Sequence, residues 1–254
     1  MLKTVLGWML LLAAGVASAQ AGPTIAAASD LKFALDDIAA SYEKDTGKKV
    51  RITYGSSGNF AKQLEQGAPF EIFLSADEAL VFDLAKKNLT VNDGDLYAIG
   101  RVVLFASKPE VFKPDANLTD FRKALDDGRI KKLAIANPEH SPYGRAAQKA
   151  LQKVGLWSTV EPKLVLGENV SQAAQFTASG NTQGGIFALS LAMAPAFADR
   201  GNYVVLPDSL HEPLRQRMVV MRKATPEAQA FYRALTLPAA RTVFKRYGFT
   251  LPGE

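Results

Sequence analysis

The sequence predicts an α/β fold, and two observations predict it. Short apolar runs rich in β-branched residues recur along the chain, and segments of helical period lie between most of them. Such alternation implies largely parallel sheets covered on both faces by helices. The first run is TIAAA (24–28). It is followed by Leu31, Leu35, Ile38 and Tyr42, which share one helical face at i, i+4, i+7 and i+11. VRITY (50–54) and EIFLS (71–75) read as the next strands. In SADE (75–78), a Ser, an Asp and a Glu precede an apolar helix, the pattern of a capped and dipole-matched N-terminus. RVVLFA (101–106) and LAIA (133–136) come next, then a helix carrying Ala147, Leu151 and Val154 on one face. KLVL (163–166), GGIFA (184–188), YVVL (203–206) and RMVVM (217–221) complete the strands. The tail PEAQAFYRALTLPAARTVFKRYGF reads as two helices broken at Pro238.

The first residues place Lys3 ahead of an apolar run, Val5 to Val16, and then Ala17-Ser18-Ala19, the small-x-small form of a cleavage site. Residues 1–19 are therefore expected to be an export signal cut near Ala19, with a periplasmic product. The remaining 235 or so residues suffice for one large or two modest domains. Absence of cysteine excludes disulfides, thiolate metal sites and cysteine nucleophiles. With only His140 and His211, a histidine-rich metal site is not expected. The formal charge of +5 is spread among interspersed acidic and basic residues, so no nucleic-acid-binding face is expected. The Arg and Lys residues, those of RGNY and RQR included, are expected on a solvated surface.

YGSSGNFAKQ (54–63) stands where a strand hands over to a helix, and such a turn offers serine hydroxyls, backbone N–H groups and a positive helix end. The arrangement recurs. Ser29 follows the first strand, SPYGRAAQKA follows LAIAN, and GENVSQAAQF follows KLVL. Two junctions in each half are what a two-lobed clamp would present around one small anion, beyond the carboxyl ends of its strands. A hydrolase is the competing reading. G-x-S-x-G fails here because Asn59 stands where the last Gly belongs, and neither histidine is tied to Ser57 as a base. No dinucleotide, phosphate-loop, HExxH or calcium-loop motif is present. His140, in NPEHSPYG, reads as an exposed loop residue, with a place at the cleft mouth as the alternative. No enzyme, cofactor or metal site is expected.

AAASDLKFAL, SSGNFAKQLEQGAPFEIFLSADE, NPEHSPYGRAAQKALQKVGLW, GENVSQAAQF and FKRYGF together resemble the periplasmic molybdate-binding proteins of ABC transporters. The resemblance spans about Ile25 to Phe249. It implies a two-lobed type II periplasmic binding protein fold, each lobe a mostly parallel sheet flanked by helices, with the ligand in the interlobe cleft. Lobe I would comprise 20–99, completed by 208–254, and lobe II 100–207. It further implies a monomer that captures molybdate or tungstate and delivers it to a membrane permease. A receptor for sulfate or another small oxyanion in the same fold is the alternative.

Carried over position by position, the resemblance implies hydroxyl and N–H donors from Ser29 and Ser57, and an N–H donor from Asp30. From the other lobe it implies the backbone N–H groups of Tyr143 and Val170. Some family members add a tyrosine hydroxyl where this chain has Phe187, one donor fewer if that ring lines the cleft. The Asp30 carboxylate would repel a dianion and is expected to point away, capping its own helix. None of these donors titrates near neutrality, so affinity is expected to be flat from about pH 6.5 to 8.5. A dianion without a countercharge needs its oxygens fully hydrogen-bonded. Six or seven such bonds at about 1.5–3 kcal/mol each leave about −8 to −12 kcal/mol after closure and desolvation.

Overall fold

The computed structural model describes residues 22–253, so the export-signal segment lies outside the described residues. Among the described residues ten strands form two five-stranded sheets, matching the expected two-lobed α/β architecture. In the first sheet the strands are β1 (Thr24–Ala28), β2 (Arg51–Gly55), β3 (Ile72–Ser75), β4 (Asp95–Gly100) and β10 (Leu214–Val220), in the order β2-β1-β3-β10-β4. The second contains β5 (Val102–Ala106), β6 (Leu133–Ala136), β7 (Leu164–Gly167), β8 (Gly184–Ala188) and β9 (Asn202–Val205), in the order β7-β6-β8-β5-β9. Three neighbouring strands of each sheet are parallel. The strands by which the chain enters the second sheet and returns to the first, β5 and β10, run antiparallel to their neighbours.

The apolar runs are long because the inner strands are covered on both faces: β3, β5, β6 and β8 are buried throughout. The edge strand β2 is partly exposed and correspondingly mixed in composition. β4, absent from the sequence reading, is the sequence DLYAIG, where acidic and small residues dilute the β-branched signal. It pairs with β10 at the sheet edge.

The helices are α1 (Lys32–Thr46), α2 (Ser57–Glu65), α3 (Glu78–Lys86), α4 (Thr119–Asp126), α5 (Pro142–Lys153), α6 (Trp157–Val160), α7 (Val170–Ala178), α8 (Leu189–Ala192), α9 (Pro226–Thr236) and α10 (Pro238–Arg246). The tail does divide at Pro238, which opens α10 because its missing N–H is not needed in a first turn. Asp77 caps α3 as anticipated, accepting from Ala79 N at 3.0 Å. Glu78 receives Arg215 and Arg217, and the Arg217 side chain is only 15% exposed, so the RQR arginines form an ion-pair cluster and not a freely solvated surface. The lobes meet where β4 passes to β5. There Gly100 is required: a Cβ would run into the Tyr143 hydroxyl and the Gln216 amide.

Candidate functional site

Four helix beginnings, two in each lobe, are drawn together by hydrogen bonds across the cleft. A 3₁₀ turn, Ser29–Leu31, continues β1 into α1. Ser29 is buried, and its Oγ accepts from Ser171 N, in the first turn of α7, at 3.2 Å. Ser57 opens α2, is equally buried, and its Oγ accepts from Ala76 N at 3.0 Å. Each serine hydroxyl thus uses a lone pair to hold its rotamer and keeps its proton for an acceptor.

The first turns of α5 and α7 leave one donor each. In α5, Pro142 has no N–H and the Gly144 N–H is capped by Ser141 Oγ at 3.3 Å; Tyr143, between them, keeps its N–H. In α7, Asn169 Oδ1 takes Gln172 N at 3.1 Å and Ser29 takes Ser171 N, which leaves the Val170 N–H. Groups at these positions have no carbonyl within their own helix, and the helix dipole makes them positive. Such a constellation supplies donors to a buried group that has only acceptors.

The contact between the lobes is tight. Ser56 Oγ donates to the His140 carbonyl at 2.6 Å, Gly58 N donates to the same oxygen at 3.0 Å, and His140 Nδ1 lies 2.9 Å from Ser56 Oγ. His140 is therefore buried in the lobe contact and is not an exposed loop residue, because its carbonyl is the acceptor for the α2 N-terminus. At the rim, Asn59 donates to Glu168 at 2.8 Å and Arg145 pairs with Asp77 at 2.6 Å. A groove of about 490 Å³ beside this rim carries Arg145, Lys149 and Arg215 against Asp77, Glu78 and Glu212, a mixture that favours neither sign of charge.

Asp30 does not cap its helix. Its carboxylate is 1% exposed and enters the interlobe contact, where Oδ2 accepts from Tyr143 Oη at 3.0 Å and from Gln216 Nε2 at 2.6 Å. Gln216 Nε2 also lies 3.1 Å from Tyr143 Oη, and Tyr97 Oη donates to Gln216 Oε1 at 2.7 Å. Burial pushes the Asp30 carboxyl up to about 6, against the lowering effect of the Gln216 and Tyr143 donors and of the backbone N–H groups of Asp30 and Leu31. Burial raises both tyrosines well above their ordinary range, so they remain neutral. Ser190 Oγ donates to the Asp30 carbonyl at 2.7 Å and ties the turn to α8.

Phe187 is fully buried among rings. Its centroid is 5.3 Å from Phe105 and 6.2 Å from Phe197, which in turn meets Phe33 of α1 at 6.2 Å. It belongs to the packing between β8 and the lobe contact, and no described hydrogen bond links it to the four turns. Ser56, Gly58 and Gln216 are contact residues that the sequence does not reveal, and His140 takes the alternative place at the cleft. For Gln216 a signal exists: in LRQRMVV it shares the alternating face of Leu214, Met218 and Val220, all buried.

Three comparisons bear on this geometry. A family model described as bacterial extracellular solute-binding protein matches residues 23–250. The molybdate-binding protein ModA of Azotobacter vinelandii is 39% identical over 230 residues, 89% of each chain, and that of Rhodobacter capsulatus is 34% identical over 235 residues, covering 91% of this chain and 89% of its own. The solved structure of the Azotobacter vinelandii periplasmic molybdate-binding protein superposes with a TM-score of 0.82 at 30% identity, covering 91% of this chain and 99% of that one.

Proposed function

The chain belongs to the bacterial extracellular solute-binding proteins, and from that premise we propose that it captures molybdate, or tungstate of the same shape and charge, in the interlobe cleft. The observation that carries this reading is the state of the two serines: Ser29 and Ser57 each accept one backbone N–H and keep a free proton, beside the spare N–H groups of Tyr143 and Val170. An all-donor set of this kind suits a fully deprotonated tetrahedral dianion. The names of the relatives favour molybdate within that class. The donors in this reading are Ser29, Asp30 through its backbone N–H, Ser57, Tyr143 and Val170. Phe187 supports the cleft wall from behind and offers no hydrogen bond.

The same reading makes the protein a monomeric carrier outside the cytoplasm that passes its ligand to an ABC-transporter permease and performs no chemical step. Lobe I would then run over 20–99 and 208–254, and lobe II over 100–207, a division supported by the membership of the two sheets. A thermal-shift panel of oxyanions on ligand-stripped protein tests it. Ligand at about 100 times its Kd adds about 2.7 kcal/mol of stability. Molybdate and tungstate are expected to raise Tm more than sulfate or phosphate. A shift with sulfate and none with molybdate would assign the cleft to sulfate instead.

A further inference from the structure

The clasp formed by Asp30, Tyr143, Gln216 and Tyr97 lies one residue from Ser29 and joins the lobes through side chains alone. Its arrangement is specific about where a proton can go. Both clasp donors, Tyr143 Oη and Gln216 Nε2, converge on Oδ2 of Asp30, while Oδ1 is buried and receives no hydrogen bond of good geometry, the backbone N–H groups of Asp30 and Leu31 lying near the carboxylate. A carboxylate so placed is an acceptor and a negative charge beside a site whose other groups are donors. Two changes remove the conflict with a dianion at once: neutralising the charge, and turning Oδ1 from an acceptor into an O–H donor.

Building on the oxyanion reading above, we propose that Asp30 takes up one proton on Oδ1 when the dianion binds, and that the clasp positions this acid so that the second lobe closes on a neutral group. With the lobes in contact and no anion present, burial pushes the carboxyl up to about 6, and where the lobes stand apart it loses the cover of Tyr143, so it is mostly ionised at neutral pH before binding. A dianion one residue away raises it further, because it penalises only the charged form. The proton comes from solvent, and no bond other than O–H forms.

The groups that face Asp30 leave it the titrating member. Tyr143 and Tyr97 are held neutral, and Gln216 does not titrate. The ionisable side chains on the elements packed against it are engaged elsewhere: Lys32 with Asp36, Tyr54 with Asp36, Arg51 with the Gly22 carbonyl, Arg145 with Asp77, and Arg215 and Arg217 with Glu78. Asp95 of β4 accepts from Tyr232, and Glu168, before α7, accepts from Asn59. Lys149 and Lys153 lie further along α5, at the outer groove. His140 is the titratable group at the other end of the contact, bonded to Ser56, and serves as a control.

The sign follows from the linkage. Well below the pKa of the unliganded carboxyl Asp30 is protonated before binding and affinity is independent of pH. Above it each binding event must draw in a proton, so Kd rises with pH and is not flat as the sequence alone implies, approaching tenfold per unit until the pKa of the complex is reached. The test is calorimetry with sodium molybdate at pH 6.0 to 8.5, repeated at pH 7.5 in buffers of different ionisation enthalpy, on the wild type, Asp30→Asn, Tyr143→Phe and His140→Gln. The expected results are uptake of about one proton by the wild type and by His140→Gln, with Kd about tenfold or more higher at pH 8 than at pH 6. Asp30→Asn is expected to bind with no proton uptake and a flat profile. Tyr143→Phe, which loses one clasp donor, is expected to keep proton uptake and to release molybdate faster. Molybdate binding by the wild type with no proton uptake and a flat profile would overturn the proposal while leaving the oxyanion reading intact. Proton uptake that persists in Asp30→Asn would also overturn it. Absence of molybdate binding would instead remove the reading on which it rests.

Discussion

Gly58→Ala separates closure of the lobes from stability of the fold. Gly58 is the second residue of α2, and its N–H reaches the His140 carbonyl in the other lobe at 3.0 Å. A Cβ built on it would stand 2.5 Å from that oxygen and 3.1 Å from His140 Cα, with backbone on the other side, so no flexible side chain can yield. Restoring ordinary contact requires the His140 loop to retreat by about 1 Å, a strain of the overpacking kind that costs about 1–3 kcal/mol. The retreat also stretches the bonds from Gly58 N and from Ser56 Oγ, at 3.0 and 2.6 Å, each worth about 0.5–1.5 kcal/mol. Because the two bonds are stretched and not lost, the closure penalty is about 2–4 kcal/mol, which weakens oxyanion binding by about 30- to 1,000-fold. Within lobe I the added methyl has the opposite effect, since alanine is favoured over glycine in a helix by about 0.5–1 kcal/mol. Calorimetric Kd for molybdate and denaturant unfolding of ligand-free protein, measured on the same preparation, check both halves. Affinity within about threefold of wild type would show that bound protein does not use this contact, and a ligand-free stability loss as large as the affinity loss would show that the contact belongs to the fold.

Ser57→Ala removes a proton donor from the cleft and leaves Ala76 N without its acceptor; affinity is expected to fall by about 1.5–3 kcal/mol and ligand-free stability by about 1 kcal/mol, read by the same two assays. Phe187→Tyr places a hydroxyl among Phe105 and Phe197 with no described partner, and is expected to lower ligand-free stability by about 1–3 kcal/mol in denaturant unfolding. Unchanged stability with tighter molybdate binding would show that the Phe187 ring edge reaches the ligand after all.

Strand positions were readable from sequence because buried inner strands need apolar residues on both faces, and TIAAA, LAIA and GGIFA fall on β1, β6 and β8 residue for residue. The helix starts were readable for a similar reason: serine, asparagine, proline and glycine at a strand-to-helix junction reflect local backbone geometry, which needs no distant partner. β4 is not legible in the sequence because an edge strand can be built from DLYAIG once β10 supplies its hydrogen bonds, and that pairing joins segments far apart in the chain, Gly100 with Leu214 at one end. The clasp was beyond reach for the same cause. Asp30, Tyr97, Tyr143 and Gln216 come from four separate elements, and only their convergence turns a charge next to a serine into a buried carboxyl held near 6. Periodicity records the surface a residue faces, and local motifs record the turn it makes. Desolvation and cross-lobe hydrogen bonding depend on which distant groups arrive beside it, and that was decided by the tertiary structure alone.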